Sequence, residues 1–497
     1  MAAARQLNMA GYFKRLISSL AAYQLADVVS KVMGVLLLPV YTHYLEPTAY
    51  GTVEIFATAV IFVSILVRLG MIEAFLRYHF AAADEARRDA LARRAVGFLL
   101  TTTTVVVIPL IVFAGPLSKL VLSRRDTEGF LIAVLGLWSF TNLELAYGLL
   151  RVEERLRAYA TASVSNAVLT IVASIVLVVG AHMGANGLML ANYGATVVIL
   201  LAVWWTMRHR LLGPGAGAER YGVLLRFGLP TVPAEASAYG LSLLDRQYIV
   251  HQRSLGAAGL YAIALKFAGA IALMVRAFQY AWPPLAYSVR DDAIAARLYG
   301  LVTTYYVVIA AWIVAGSALL GRWVLRVLTD YSRYHGANRA LAWVSLGWAM
   351  YGLWVVFLAI AGRAKVTTRN VAASLAGLAV NVVLLVLLVP SLGIEGAGIA
   401  LCGAYVAMLS LMYFLTRGLF RVEFEWRRLA QIVLVCGGLA VGGELLLPTH
   451  GAVGLLSRAA VFLALPAILY LTGFAHAQEL AQARALLRRL RRTAEAT

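Results

Sequence analysis

Long apolar segments dominate this chain, and they restrict it to very few folds. Fourteen segments of roughly 20 mostly apolar residues follow one another between residues 16 and 474. Inside a bilayer each backbone polar group must be hydrogen-bonded within the protein, so segments of this length can cross only as helices. The sequence therefore predicts an all-α integral membrane protein with about fourteen transmembrane helices. The predicted spans 1 to 14 are 16–41, 51–75, 95–115, 129–150, 159–180, 186–207, 224–249, 257–282, 299–320, 340–362, 370–390, 395–416, 429–448 and 454–474.

The composition and the placement of charge agree with a membrane protein. Only 13% of the residues are charged, whereas a soluble chain carries about 25%. The net charge of +19 does not indicate nucleic-acid binding, because the arginines lie mostly in short connections between spans. With the N-terminus in the cytoplasm, 29 of the 43 Lys and Arg residues fall inside and nine outside. This asymmetry predicts that both termini are cytoplasmic.

The chain repeats itself at an offset of about 209 residues. Residues 182–194 align with residues 391–403 without a gap and share three glycines, and residues 45–51 resemble residues 255–259. Six spans separate the copies, so the sequence predicts two parallel six-helix repeats that form two lobes, with two helices added at the C-terminal end. The predicted domains are an N-lobe at 1–210, a C-lobe at 211–420, spans 13 and 14 at 421–475 and a basic cytoplasmic tail at 476–497.

Ionisable residues within a span are costly and usually face a partner or a water-filled cavity. In span 1, Gln24, Asp27 and Lys31 share one helix face. This pattern fits either a polar face that lines a cavity or a structural pair between Asp27 and Lys31 that neutralises itself.

Span 7 carries a second polar face. Glu235, Tyr239 and Arg246 are spaced so that they lie on one side of a helix, and Pro230 and Pro233 precede them. Because proline removes backbone donors, we expect the helix to break or bend there. The pattern favours a moving gate with its hinge at the two prolines, and it makes Asp27 and Glu235 candidates for carrying a coupling proton or sodium ion.

Cations concentrate in spans 1, 2, 7 and 8, which are the matched first pairs of the two repeats. Lys266 has no acidic residue within a helical turn, so it needs a partner from another span or an anionic ligand. Arg276 could instead extend to the membrane interface. A cationic cavity favours an anionic cargo, and arginine suits phosphate because its planar group gives paired hydrogen bonds. The predicted substrate-binding residues are Lys31, Arg68, Arg246, Lys266 and Arg276.

The sequence has no motif for ATP hydrolysis, catalysis or metal binding. The chain has no Walker-A motif, its eight histidines are scattered, and Cys402 and Cys436 lie inside apolar runs without metal-ligand spacing. No connection is long enough for the extracellular domain of a polymerase or a ligase. We therefore expect neither an enzyme nor a metal site, and no cofactor apart from a coupling ion.

Several local sequences resemble a known family along nearly the whole chain. They are LEPTAYG at 45–51, RLGMIEAFLRY at 68–78, LDR at 244–246, GLYA at 259–262 and FQYAWPP at 278–284. In their order, and with fourteen spans, they resemble a Wzx-type polysaccharide biosynthesis flippase of the multidrug/oligosaccharidyl-lipid/polysaccharide exporter superfamily.

The resemblance implies a function and a location. It implies that an undecaprenyl-pyrophosphate-linked oligosaccharide crosses the bacterial inner membrane by alternating access, for O-antigen, capsule or exopolysaccharide synthesis. The polymerase and glycosyltransferases of the pathway are further expected partners. The alternatives are a lipid II flippase, which also needs a cationic cavity, and an ion-coupled multidrug antiporter, which would favour an acidic one.

Overall fold

The computed structural model describes residues 34–35, 37–82, 84–211, 219–289, 291–364, 366 and 369–474. The regular structure of these residues is helical throughout, and they contain no strand. The predicted all-α fold class is thereby confirmed. The polar face of span 1, with Asp27 and Lys31, and the basic tail lie outside the described residues.

Twenty α-helices follow one another in the described part of the chain. The first eight are α1 (Leu38–Tyr44), α2 (Pro47–Arg68), α3 (Met71–Ala81), α4 (Glu85–Val112), α5 (Ala114–Leu122), α6 (Thr127–Val152), α7 (Leu156–Ser174) and α8 (Gly184–Leu211). The next seven are α9 (Tyr221–Gly228), α10 (Val232–Gln252), α11 (Leu255–Phe267), α12 (Gly269–Ser288), α13 (Asp292–Leu328), α14 (Tyr331–Tyr334) and α15 (Asn338–Arg363). The last five are α16 (Arg369–Leu392), α17 (Ile394–Thr416), α18 (Trp426–Ile432), α19 (Gly438–Leu446) and α20 (Gly451–Leu471).

Eleven helical segments among the described residues are long and apolar enough to cross a membrane, and the broken pair α11 and α12 would make twelve. The eleven coincide with predicted spans 2 to 6 and 9 to 14, and the broken pair coincides with span 8. Span 7 is helical but less apolar, because Glu235, Asp245 and Arg246 lie within it. Large apolar side chains such as Val112 and Leu446 remain 70% and 84% exposed, as expected for surfaces that meet lipid.

The chain divides into two compact units. Of the described residues, the first unit contains those up to 263 together with 327–336 and 385–394, and its core includes Phe75, Leu149 and Leu200. The second unit contains the described residues within 264–326 and 337–384 and those from 395 onward, and Trp282 and Tyr299 lie in one of its cores. These packing units do not test the lobe boundaries at residues 210 and 420, which stay a prediction.

The repeat found in the sequence has a counterpart in the backbone. Gly184 and Gly393, which the repeat aligns, both adopt a left-handed conformation, with φ of +58° and +62°. Side chains disfavour this conformation, so glycine is the residue that best tolerates it. In both copies the chain turns there into the helix that follows, α8 in one and α17 in the other.

A second pair of repeat-related glycines touch each other. A Cβ atom on Gly51 would overlap the carbonyl oxygen of Leu255 and lie 2.9 Å from the nitrogen of Gly259. A Cβ atom on Gly259 would overlap the carbonyl oxygen of Pro47 and lie 3.0 Å from the nitrogen of Gly51. Positions 47 and 255 are separated by 208 residues, as are 51 and 259, so the contact is reciprocal. Reciprocal contacts of this kind are produced by a two-fold axis.

Candidate functional site

The helices α2 and α10 carry charges within predicted spans and pack against each other. Arg68, the last residue of α2, contacts Glu235 near the start of α10. Glu54, near the start of α2, contacts Arg246 near the end of α10. The two helices are therefore antiparallel, with a pair of opposite charges at each end. We call these the Arg68 end and the Glu54 end.

Proline and glycine determine where these helices begin and end. Pro47 opens α2, where a missing backbone N–H costs nothing, and Gly70 follows the end of α2 with φ of +70°. Pro233 lies in the first turn of α10. The turn before it, residues 229–231, is a 3-10 helix that contains Pro230. The α-helix is thus interrupted at the prolines, and their role as a hinge stays a prediction.

At the Arg68 end a short, charged hydrogen bond joins the helices. Nη2 of Arg68 donates to Oε1 of Glu235 at 2.5 Å. The Arg68 side chain is only 9% exposed, whereas Glu235 is 35% exposed. Nε of Arg68 is also buried, and it has no hydrogen-bond partner among the described residues. The guanidinium group therefore keeps a donor that a further acceptor could use.

The backbones also meet at the Arg68 end. A Cβ atom on Gly70 would overlap the carbonyl oxygen of Gly228, the last residue of α9, and would lie 2.6 Å from its Cα. In return, a Cβ atom on Gly228 would overlap the carbonyl oxygen of Gly70. The close approach requires glycine on both sides and brings the start of span 7 against the end of span 2.

At the Glu54 end the acid is more buried than Glu235, but the two charges are farther apart. Nη2 of Arg246 lies 3.9 Å from Oε2 of Glu54, and the two side chains are 13% and 14% exposed. This distance is beyond that of a direct hydrogen bond. Nε of Arg246 is buried, again without a hydrogen-bond partner in the described part of the chain.

Uncharged contacts hold the Glu54 end. The hydroxyl of Tyr334 donates to the carbonyl oxygen of Leu45 at 2.9 Å, and the backbone N–H of Asp330 donates to Oγ1 of Thr42 at 2.9 Å. We call residues 330–334 the clasp. The clasp and the glycine contact together fix the chain that leads into α2.

A polar face lies between the two charge pairs. Glu235 and Arg246 are eleven residues apart, which corresponds to about 16 Å along a helix. Tyr239 is 41% exposed between them, and Ser242 is half-buried. The polar face of span 7 predicted from the sequence is thus part of a regular helix, and charges flank it at both ends.

The other predicted cations belong to the second compact unit. Lys266 is half-buried near the end of α11, and Arg276 is exposed on α12. Both readings of Arg276, as a binding residue and as a residue that extends to the interface, remain open. Lys31 and Asp27 lie outside the described residues. The structure thus brings together Arg68 with Glu235, and Arg246 with an acid that the sequence analysis did not select.

That acid is Glu54. A signal for it exists in the sequence, because Glu54 and Arg68 are fourteen residues apart on α2 and so fall near the same helix face. Arg458 lies within α20, where its side chain is 1% exposed and pairs with Glu444. The charge of Arg458 is neutralised by Glu444 on the preceding helix α19, so Arg458 is a poor candidate for binding cargo.

Metal ligands do not cluster in the described part of the chain. No group of three His, Cys, Asp or Glu residues there could hold a metal ion. Cys402 and Cys436 are buried and not paired in a disulfide.

Solved structures of membrane transporters share this fold. The lipid II flippase MurJ in an inward closed conformation superposes with a TM-score of 0.72 at 14% identity, covering 91% of this chain and 99% of that one. A multidrug resistance MATE family transporter of the MOP superfamily, inward-facing, gives 0.61 at 16% identity, covering 83% and 94%. The Vibrio cholerae MATE transporter VcmN gives 0.55 at 15% identity, covering 84% and 98%. At these identities the likeness concerns the fold alone.

Sequence comparison gives the family. No curated protein matches the chain significantly. The family model described as polysaccharide biosynthesis protein matches residues 16–286, more than half of the 497 residues. This match confirms the resemblance drawn from the local sequences. The chain therefore belongs to the polysaccharide biosynthesis protein family, and it has the fold of the solved flippase and transporter structures.

Proposed function

We propose that the protein moves an undecaprenyl-pyrophosphate-linked oligosaccharide from the cytoplasmic to the periplasmic leaflet of a bacterial inner membrane. The cargo would serve the synthesis of O-antigen, capsule or exopolysaccharide. The observation that carries the proposal is the buried guanidinium of Arg68, whose Nε has no hydrogen-bond partner among the described residues. An arginine held in this way inside a membrane transporter is suited to bind a phosphate group through two parallel hydrogen bonds.

The proposed mechanism assigns roles to the predicted residues. The pyrophosphate is held by cations drawn from Lys31, Arg68, Arg246, Lys266 and Arg276, while the prenyl chain stays in lipid. The cavity opens to one side at a time, with the interruption at Pro230 and Pro233 as the hinge. A proton or sodium ion that reaches Asp27 or Glu235 would couple transport to an ion gradient. In this mechanism the protein forms and breaks no covalent bond of the cargo, so it is not an enzyme.

A lipid II flippase is the second candidate, and the superposition on MurJ favours it. Lipid II shares the prenyl pyrophosphate, so the same cations would serve either cargo. A multidrug antiporter, suggested by the MATE structures, fits the site less well, because two arginines whose side chains are 9% and 13% exposed lie along α2 and α10.

The test is made in cells that lack the gene and carry either the native chain or Arg68→Gln. We expect lipid-linked oligosaccharide to accumulate in the cytoplasmic leaflet and surface polysaccharide to fall about tenfold or more, the size expected when a charged hydrogen bond is lost. Arg297→Gln is the matched control, because Arg297 is 78% exposed and pairs with an exposed acid.

Other outcomes would replace the proposal. Deletion that leaves surface polysaccharide intact but blocks lipid II translocation would assign the protein to lipid II. Deletion that changes only resistance to cationic drugs would assign it to drug export.

A further inference from the structure

The two charge pairs that join α2 and α10 have opposite polarity. At the Arg68 end the base is on α2 and the acid on α10, whereas at the Glu54 end the acid is on α2 and the base on α10. The helices are therefore cross-linked at both ends by charge, and either link can be broken by neutralising one partner.

The pair at the Arg68 end is built so that an anion can compete for it. The Arg68 side chain is only 9% exposed, whereas its partner Glu235 is about one third exposed. An anion that arrives from the exposed side meets Glu235 first. The guanidinium of Arg68 also has an unused donor, Nε, beside the one that Glu235 occupies.

Leaving Arg68 without an anion would be costly. Removing one partner of a buried ion pair leaves an uncompensated charge, which is strongly unfavourable. An incoming phosphate removes this cost, because its oxygens can accept from Nη2 and Nε together. Release of Glu235 then becomes an exchange of one anion for another.

The contact between Gly70 and Gly228 links this exchange of anions to the positions of α2 and α10. Gly70 and Gly228 hold the ends of span 2 and span 7 in backbone contact two residues after Arg68 and seven residues before Glu235. The charged hydrogen bond lies beside this contact, so losing the bond frees α10 to move away from α2.

We propose that Arg68 and Glu235 form a latch that the pyrophosphate of the cargo opens, by taking the guanidinium of Arg68 in place of the Glu235 carboxylate. This inference rests on the proposed function, since it needs an anionic cargo. Glu235 acts as a positioning residue and as the competitor of the cargo, and it does not hold the cargo itself.

The latch predicts an effect that a structural ion pair would not produce. Glu235→Gln removes the competing carboxylate, so the protein should bind a prenyl diphosphate more tightly, by about tenfold. Arg68→Gln should abolish that binding. If the pair were only structural, Glu235→Gln would leave the affinity unchanged or weaken it.

Binding is measured on the full chain in lipid nanodiscs, with farnesyl diphosphate as the probe and farnesol as the uncharged reference. Glu85→Gln is the matched control, because Glu85 is 71% exposed and also pairs with an arginine, Arg210, at 2.9 Å. The control should bind the probe as the native chain does.

Opening of the latch is measured separately by spin-label distances between Leu66→Cys on α2 and Leu244→Cys on α10, in a background without Cys402 and Cys436. Both labelled positions are exposed. A longer distance should appear in the native chain when farnesyl diphosphate is added, and in Glu235→Gln without it. The double variant with Arg68→Glu and Glu235→Arg should restore the short distance, which keeps the test valid if a single variant folds poorly.

The outcomes separate the latch from the proposed function. If the native chain binds farnesyl diphosphate no better than farnesol, the proposal of an anionic cargo is refuted, and the proposed latch is refuted with it. If the native chain binds the diphosphate but Glu235→Gln neither tightens binding nor lengthens the distance, the latch alone is overturned.

Discussion

The two ends of the α2–α10 pair are held by different forces. At the Arg68 end a charged hydrogen bond of 2.5 Å lies beside one glycine contact. At the Glu54 end the charges are 3.9 Å apart, and the reciprocal glycine contact and the clasp provide the close packing. Uncharged contacts do not respond to an anion, whereas a charged hydrogen bond does. The comparison teaches that the Arg68 end, where a direct charged hydrogen bond joins the helices, should respond more strongly to a charged cargo than the Glu54 end.

The largest expected effect comes from filling the glycine contact at the Glu54 end. Gly51→Ala and Gly259→Ala each place a methyl group into a backbone carbonyl, so each should cost about 3 kcal/mol or more, at the upper end for overpacking. Because the contact is reciprocal, the two variants should be destabilised to a similar extent. Thermal unfolding in detergent, followed by size-exclusion chromatography, measures the loss.

Gly97→Ala is the control for this comparison, since a Cβ atom at Gly97 would have no neighbour within 4 Å. A large loss from Gly51→Ala together with none from Gly259→Ala would show that the contact is not reciprocal in the protein.

A smaller effect should distinguish the two charge pairs. In double-mutant cycles with glutamine, the coupling energy between Arg68 and Glu235 should be about 2 kcal/mol, as for a hydrogen bond between charged groups. The coupling between Glu54 and Arg246 should stay below about 1 kcal/mol, because their separation leaves out the direct hydrogen bond. Both coupling energies are obtained by unfolding the variants in increasing concentrations of an anionic detergent. Equal values would remove the difference between the two ends.

The smallest effect is a dependence on pH near the Arg68 end. His79 lies in the last turn of α3, eleven residues after Arg68, and burial, with the nearby Arg88 and Arg210, lowers the pKa of its imidazole. The unfolded chain therefore takes up a proton that the folded chain resists. The stability contributed by neutral His79 is complete above the unfolded pKa of about 6.5 and is lost as the pH falls toward the lower folded pKa.

We expect the melting temperature of the native chain to fall more steeply below pH 6.5 than that of His79→Gln, which lacks this group. His209→Gln, at an exposed position, should keep the slope of the native chain. Parallel slopes for the native chain and His79→Gln would refute the assignment.

Much of the fold could be predicted because its signals are local. A run of apolar residues identifies a span wherever its neighbours lie, and the aligned Gly184 and Gly393 do share a left-handed backbone. Span 7 was predicted as a helix in spite of its charges, and it is helical.

The partners within the site could not be predicted in the same way. The spacing of Glu235 and Arg246 gives their common helix face but not the helix that this face meets. Their partners are 167 and 192 positions away in the sequence, at Arg68 and Glu54. Glu54 is not among the predicted site residues, and its pairing with Arg246 appears only in the structure. Contacts between distant helices depend on how each helix is rotated, and single-chain periodicity does not determine that rotation.

The reciprocal contact between Gly51 and Gly259 has an evolutionary consequence. If a single six-helix unit once preceded the duplication, its residues equivalent to Pro47 and Gly51 would have met the same residues of a second copy. Such a unit would have formed a homodimer through this self-complementary patch, and a fused chain would keep the patch. The two halves of the present chain, expressed as separate polypeptides, would retain the surface needed to find each other in the membrane.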